Sequence, residues 1–288
     1  MNRYSNHHSH TIFSDGKAPA ETFLLEALRK GMTAYGFSDH CPIPHQDMSM
    51  MKMAQLPDYL AEIERLRAVY GDRIEIHRSL EVDYLPGLVS VDSPHIREAE
   101  LDYTIGAVHF VDCLDGDRPW SFQQPEPLFQ RGIDEIFGGN ARAMVERYYE
   151  LVREMVTTHP PDIVAHPDRI KKRNLGGLYW KEEEPWYRET VEATLDDIAR
   201  AGIIMEVNTR GIYRGTVQEL YPSAWIIESA VGRGIPLQIN SDTHEVEHVT
   251  GGFAPTYQLL DSLGVQAVHV FRAGKFVEQG VKEMAGVC

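Results

Sequence analysis

The chain has 288 residues, 43% of them hydrophobic and 25% charged, which is enough apolar material for a substantial core in one soluble domain spanning 1–288. A formal net charge of −15 opposes binding to a nucleic-acid backbone, and no run of about 18 apolar residues is present to span a bilayer. Cys41, Cys113 and Cys288 show no paired spacing, so neither a disulfide framework nor a thiolate metal site is indicated, and the polar N-terminus without an apolar signal region points to the cytoplasm and a small-molecule partner.

The first stretch, Ser5 to Gly16, places several metal-ligand side chains within a few residues. In an extended strand side chains alternate, so His8 and His10 share one face while His7 and Ser9 take the other, and the turn at Asp15-Gly16 can return a carboxylate toward the two imidazoles. A helix is expected over about 19–30, with Phe23, Leu24, Ala27 and Leu28 at helical spacing, Pro19 in its first turn and Gly31 as its stop. A strand over 33–38 then runs into Asp39-His40. From 57 to 70, Leu60, Ile63, Leu66 and Val69 read as one helical face, and a single strand over 74–82 ends at Glu81-Val82-Asp83.

A strand over 102–108 delivers His109. The stretch 110–137, rich in Asp, Pro and aromatics, reads as a long functional loop, followed by a helix over about 138–157 with Met144, Tyr148, Leu151 and Met155 in register. Residues 163–165 lead to His166-Pro167-Asp168-Arg169. A helix from 185 carries Tyr187, Val191, Leu195 and Ile198, and a strand over 203–207 ends in Asn208-Thr209-Arg210. A helix near 222–232 precedes residues 236–240 and Ser241-Asp242-Thr243-His244, and a helix near 254–262 and a strand over 267–271 complete the pattern.

Strands separated by helices need right-handed crossovers and favour a parallel sheet, and seven or eight such units in this length suit a closed α/β barrel better than an open sheet. The C-terminal strand ends of such a barrel meet at one mouth. Here they carry His8, His10, His40, Glu81, His109, His166, Arg210, Asp242 and His244, a set of imidazoles and carboxylates suited to Zn, Mn or Fe. His45, His77, His95, His159, His248 and His269 lack that placement, although His45 and His248 lie close enough in sequence to support the mouth from behind.

His8-x-His10, Ser14-Asp15-Gly16, Asp39-His40, Glu81, His109, His166-Pro167 and Asp242-x-His244, in that order, resemble the motifs of the polymerase and histidinol phosphatase (PHP) superfamily. Ser-Asp-Gly, Ser-Asp-His, Arg169 and Asn208-x-Arg210 look most like its monofunctional L-histidinol-phosphate phosphatases. The resemblance implies a distorted (β/α)7 TIM-like barrel with three divalent metal ions: the first held by His8, His10, Glu81 and Asp242, the second by Glu81, His109 and His166, the third by Asp15, His40 and His244. It departs from many superfamily members in having Asp15 where they have histidine. The implied activity is hydrolysis of L-histidinol phosphate by a hydroxide bridging the first two metals. Arg169 and Arg210 would hold the phosphate, and Asp15 or a water on the third metal would serve as the acid. The alternatives are another phosphoesterase of the superfamily acting on nucleotides, sugar phosphates or single-stranded DNA, and a metal-binding barrel without catalysis.

Two further features carry simpler readings. Lys171-Lys172-Arg173 reads as a solvated basic loop. Trp120, Phe122 and Phe129, with Asp115 and Asp117, form either a lid over the site or an aromatic segment packed on the body of the fold.

Overall fold

Helix-stop glycines and short apolar runs divide the chain into repeated strand–helix units, and in the computed structural model, which describes residues 4–44, 49–215 and 217–285, each unit returns to a parallel neighbour. In chain order these are β1 (Ser5–Asn6), α1 (Ala20–Arg29), β2 (Ala34–Phe37), α2 (Leu56–Tyr70), β3 (Glu75–Arg78), β4 (Glu81–Asp83), α3 (Pro94–Arg97) and β5 (Ile105–Ala107). They are followed by β6 (Phe110–Leu114), β7 (Arg118–Ser121), α4 (Glu126–Phe137), α5 (Ala141–Thr158), β8 (Ile163–Val164), α6 (Pro185–Ala201) and β9 (Ile204–Asn208). The last are α7 (Arg210–Tyr213), α8 (Ala224–Gly232), β10 (Leu237–Asn240), α9 (Phe253–Ser262), β11 (Ala267–Arg272), β12 (Lys275–Gly280) and α10 (Val281–Ala285).

The fold is α/β, with the site-bearing strands parallel. One sheet has the order β1-β2-β3 and the other β10-β9-β8-β5-β4. Two isolated parallel bridges join them, His40 to Glu81 on one side and Ser9 to Thr243 on the other. Because strand residues alternate, the buried outward positions meet the helices while the inward ones meet at the strand ends. On α5 the expected stripe of Met144, Tyr148, Leu151 and Met155 is buried, and its start is fixed by Asn140, whose side-chain oxygen accepts from the Ala143 N–H at 3.2 Å. No helix among the described residues is long and apolar enough to cross a membrane.

Three expectations are corrected. The single strand over 74–82 is two: β3 pairs with β2 and β4 with β5, and the break falls at Ser79-Leu80, where the Ser79 carbonyl accepts from the buried Tyr59 hydroxyl at 2.7 Å instead of from a strand neighbour. The face of α2 is rotated: Leu56, Tyr59, Ile63 and Leu66 are buried, Leu60 is only partly so, and Val69 is 52% exposed, because the aromatic Tyr59 takes the inward position. The stretch 110–137 is not an irregular loop but an antiparallel hairpin, β6–β7, followed by α4. The overlooked signal is the dipeptide Asp115-Gly116, whose φ values of 53° and 93° supply the left-handed turn a tight hairpin needs. Trp120, Phe122 and Phe129 are buried, with Trp120 stacked on Phe129 at 5.9 Å, so they pack on the body of the fold rather than forming a lid.

Gly36 in β2 marks where backbone must approach backbone. A Cβ there would collide with the Tyr103 hydroxyl, which donates to the His7 carbonyl at 2.7 Å, and would press on the His7 Cα. Gly36→Ala is expected to cost about 2 kcal/mol and lower the melting temperature by several degrees; a thermal melt indistinguishable from that of the parent chain would refute this account of the contact.

Candidate metal centre

The extended backbone of Ser5–His10 does what alternation requires. His8 and His10 face inward with their Nε2 atoms 3.1 Å apart, while His7 faces outward, its Nε2 accepting the Phe271 N–H at 3.2 Å beside His77 and Tyr103. Asp39, fully buried at the end of β2, holds the following loop through the Thr11 N–H at 2.8 Å, the Ser14 N–H at 3.1 Å and the Ser14 hydroxyl at 2.6 Å. That loop returns Asp15 to the site, with its Oδ1 3.0 Å from His244 Nε2, 3.8 Å from His10 Nδ1 and 3.9 Å from His40 Nε2.

Glu81 stands at the centre, 1% exposed. Its Oε1 lies 3.0 Å from His166 Nε2 and 3.6 Å from His109 Nε2, and its Oε2 lies 3.0 Å from His40 Nδ1, 3.4 Å from His8 Nε2 and 3.5 Å from His10 Nε2. One carboxylate thus presents a different oxygen to each of two imidazole sets. Asp242 Oδ1 reaches to 3.3 Å of His10 Nε2 and 3.9 Å of His8 Nε2. His166 and Asp242 hold positive φ, 25° and 49°, an uncommon backbone state for such residues that aims both side chains off the ends of their strands.

The groups of donors compact enough for one ion in this site are His8, His10 and Asp242; Glu81, His109 and His166; His10, Asp15, His40 and His244; and, overlapping these, His40, Asp83 and His109. All nine residues named from the sequence as ligands therefore converge, and His10 faces two of the groups. A divalent ion fits them on direct grounds. His40 Nδ1 and Asp15 Oδ1 are buried close to opposite partners yet make no hydrogen bond, and His10 Nδ1 is likewise unpaired. Two imidazole nitrogens about 3 Å apart are what a shared ion roughly 2.0–2.1 Å from each would produce. Burial works against the charge on Glu81, yet His40, His8 and His109 hold its carboxyl well below the usual range; burial likewise opposes Asp242, which Arg210 and His8 hold well below it. Asp15 is treated the same way: burial is outweighed by His244 beside it and by the His40 and His10 imidazoles, which hold its carboxyl well below the usual range.

A second layer of carboxylates was not identified from sequence. Glu206 is fully buried in β9; its Oε1 accepts from His8 Nδ1 at 2.6 Å and its Oε2 from the His166 N–H at 3.0 Å and from Asn208 Nδ2 at 3.0 Å. Asp83 Oδ1 accepts from His109 Nδ1 at 2.8 Å. A carboxylate on Nδ1 fixes the tautomer that leaves Nε2 free to face an ion. The available signals were a charged residue inside the apolar run Ile203–Val207 and the spacing of two between Glu81 and Asp83, which places both on one strand face.

The site opens into a cavity of about 270 Å³ lined by Arg169, Arg210, Lys172, Gln123, Phe110 and Met50 along with the ligand residues. Arg169 is buried, stacks 4.7 Å from the Tyr221 ring and donates from Nη2 to Gln123 Oε1 at 3.3 Å. Arg210 donates from Nη1 to the Asp242 carbonyl and contacts His244 Nδ1. The solvated basic loop expected at 171–173 is overturned. Lys171 is buried on Asp168, the Leu220 carbonyl and Ser223, Lys172 faces the cavity, and Arg173 binds carbonyls at the end of the hairpin, because a one-turn helix at Arg169–Arg173 folds these residues inward. His248 stacks on Tyr213 at 4.5 Å, and Tyr213 donates to the Ser241 and Asp242 carbonyls, so its support is indirect; His45 lies outside the described residues.

Comparison with known proteins places this arrangement in context. Residues 6–210 match a family model described as PHP domain. The Deinococcus radiodurans protein named "Probable histidinol-phosphatase" is 28% identical over 264 residues, covering 91% of this chain and 94% of the relative. The Bacillus subtilis histidinol-phosphatase is 27% identical over 263 residues, covering 84% and 94%. Among solved structures, a Lactococcus lactis histidinol phosphate phosphatase complexed with zinc, L-histidinol and phosphate superimposes with a TM-score of 0.69 at 18% identity, over 96% of this chain and 99% of that one. A Listeria monocytogenes structure gives 0.74 at 21% identity over 88% and 99%. Both show that the fold is shared.

If Glu206 orients His8 as described, Glu206→Gln is expected to weaken metal retention about tenfold or more, read by competition with a chelator; unchanged retention would mean that the layer behind the ligands is ornamental.

Proposed function

This chain belongs to the PHP domain family, and from that premise we propose that it is a phosphoric monoester hydrolase converting L-histidinol phosphate to L-histidinol and phosphate. The observation that carries the reading is Glu81, whose two oxygens face separate imidazole sets beneath a cavity that also holds the buried Arg169 and the partly buried Arg210. Relatives named as histidinol-phosphatases that align over nearly their whole length support the choice of substrate.

Three divalent ions, of Zn, Mn or Fe, would be held by His8, His10, Glu81 and Asp242, by Glu81, His109 and His166, and by Asp15, His40 and His244, with His10 within reach of the last. When bound, such ions polarise a phosphoryl oxygen and make water acidic enough to supply a nucleophile near neutral pH. The chain's own residues do the rest. Arg169, fixed by its stack on Tyr221, and Arg210, fixed at the end of β9, bind the equatorial oxygens of the phosphate, for which a planar guanidinium is suited. The proton for the leaving alkoxide would come from Asp15, 30% exposed at the open side of the cavity, or from a water held by the third ion.

The architecture follows the same proposal. With β3 and β4 counted as one interrupted strand, the two sheets and their joining bridges support a reading of the order as β1, β2, β3/β4, β5, β8, β9, β10 and back to β1, which would make a closed, distorted (β/α)7 barrel in one domain over 1–288. The ligands then lie at one rim.

Histidinol phosphate is expected to be hydrolysed with a kcat/KM at least about tenfold above those for p-nitrophenyl phosphate, nucleotides, sugar phosphates and oligonucleotides. Equal rates across that panel would sink the substrate assignment. Glu81→Ala is expected to lose two ions together; elemental analysis showing a full complement would contradict the bridging role.

A further inference from the structure

The cavity carries a cation that the reaction described above leaves unused. Lys172, half-buried on the turn Arg169–Arg173, donates from Nζ to Gln123 Oε1 at 3.2 Å, and Arg169 Nη2 donates to the same oxygen at 3.3 Å. A single neutral oxygen is therefore held between two cations. Gln123 stands just beyond β7, on the segment that closes one side of the cavity. Charged groups around Lys172 include Arg169 and Arg173 on its own turn, Arg210 at the start of α7 and Asp242 beyond β10, and Asp15 and Glu81 line the same cavity. Burial and those guanidinium groups push the ammonium down to about 7. At the point between Lys172 and Arg169 the only oxygen among the described residues paired with both cations is that of the Gln123 amide, which supplies a dipole and no charge.

We propose that Lys172 is a third phosphate-binding cation, and that an oxygen of the bound phosphate takes the position Gln123 Oε1 holds between Lys172 and Arg169. The identity of that anion as the substrate's phosphate rests on the proposed function; the anion site itself does not. On anion binding the Gln123 side chain turns away and Lys172 takes up a proton, since a neighbouring dianion favours the charged ammonium. The competing role for Lys172 is a latch that ties the hairpin to the Arg169–Arg173 turn, which would affect stability and not anion affinity.

Sulfate is the probe, because it stays a dianion across the range in which Lys172 titrates. It is titrated calorimetrically into the metal-loaded parent protein, Lys172→Arg and Lys172→Met, from pH 6 to 8.5, with metal content measured on each sample. The parent's affinity is expected to fall about tenfold more over that range than that of Lys172→Arg, whose charge does not titrate. Lys172→Met is expected to bind at least about tenfold more weakly than the parent at pH 6 with its metals retained. Parallel pH profiles for the parent and Lys172→Arg, or parental sulfate affinity in Lys172→Met with a lowered melting temperature, would overturn the proposal in favour of the latch. A parent that shows the expected sulfate profile but hydrolyses no phosphomonoester would leave the anion site standing and remove the proposed reaction.

Discussion

The structure depends on one buried carboxylate. Glu81 starts β4 at the point where the chain leaves β3's partner for a new one, and its backbone bridges to His40 while its side chain meets five imidazoles, His8, His10, His40, His109 and His166. Burying so many ionisable groups together is costly unless something compensates their charge and directs their lone pairs. Ions held on each side of Glu81 would do both, and the break at Ser79-Leu80 and the positive φ of His166 and Asp242 serve one end: donors from several strands arrive at nearly the same point.

Rigidity comes from the layer behind. Glu206, Asp83 and Asp39 are all buried, and each is spent on orientation: Glu206 on His8 and the His166 backbone, Asp83 on His109, Asp39 on the loop that returns Asp15. Their hydrogen bonds are to groups that touch the site, so the ligand geometry is set by strand positions rather than by mobile loops. The centre is in this way assembled from residues distant in sequence but fixed by parallel strand register, as in Asn208 opposite Asn240 and Met205 opposite Leu237.

Another part of the cavity wall comes from the segment after the hairpin β6–β7 and from the turn Arg169–Arg173. Buried Trp120, Phe122 and Phe129 anchor the hairpin to the body, and Arg173 binds the carbonyls at its end, so Gln123 is presented to Arg169 and Lys172 by a fixed support. Arg169, Arg210 and Lys172 gather at this cavity in a chain whose formal net charge is −15.

The alternation of the main strands and helices, and the convergence of His8, His10, His40, Glu81, His109, His166 and Asp242, were legible in the sequence, although Glu81 starts a strand rather than ending one. Period-two and period-3.6 patterns are local properties, and strand ends of parallel units share one rim whatever the details. What only the tertiary structure decided was less local. The break between β3 and β4 depends on Tyr59 from α2 reaching Ser79, and the inward rotation of Lys171 and Lys172 depends on acceptors at Leu220, Ser223 and Gln123 far along the chain as well as on nearby Asp168. Glu206 and Asp83 could be seen as charges in strands, but their partners could not. A hydrogen bond between residues 198 positions apart, such as that of His8 to Glu206, has no signature in either segment by itself, because its energy exists only once both are brought together and water is removed.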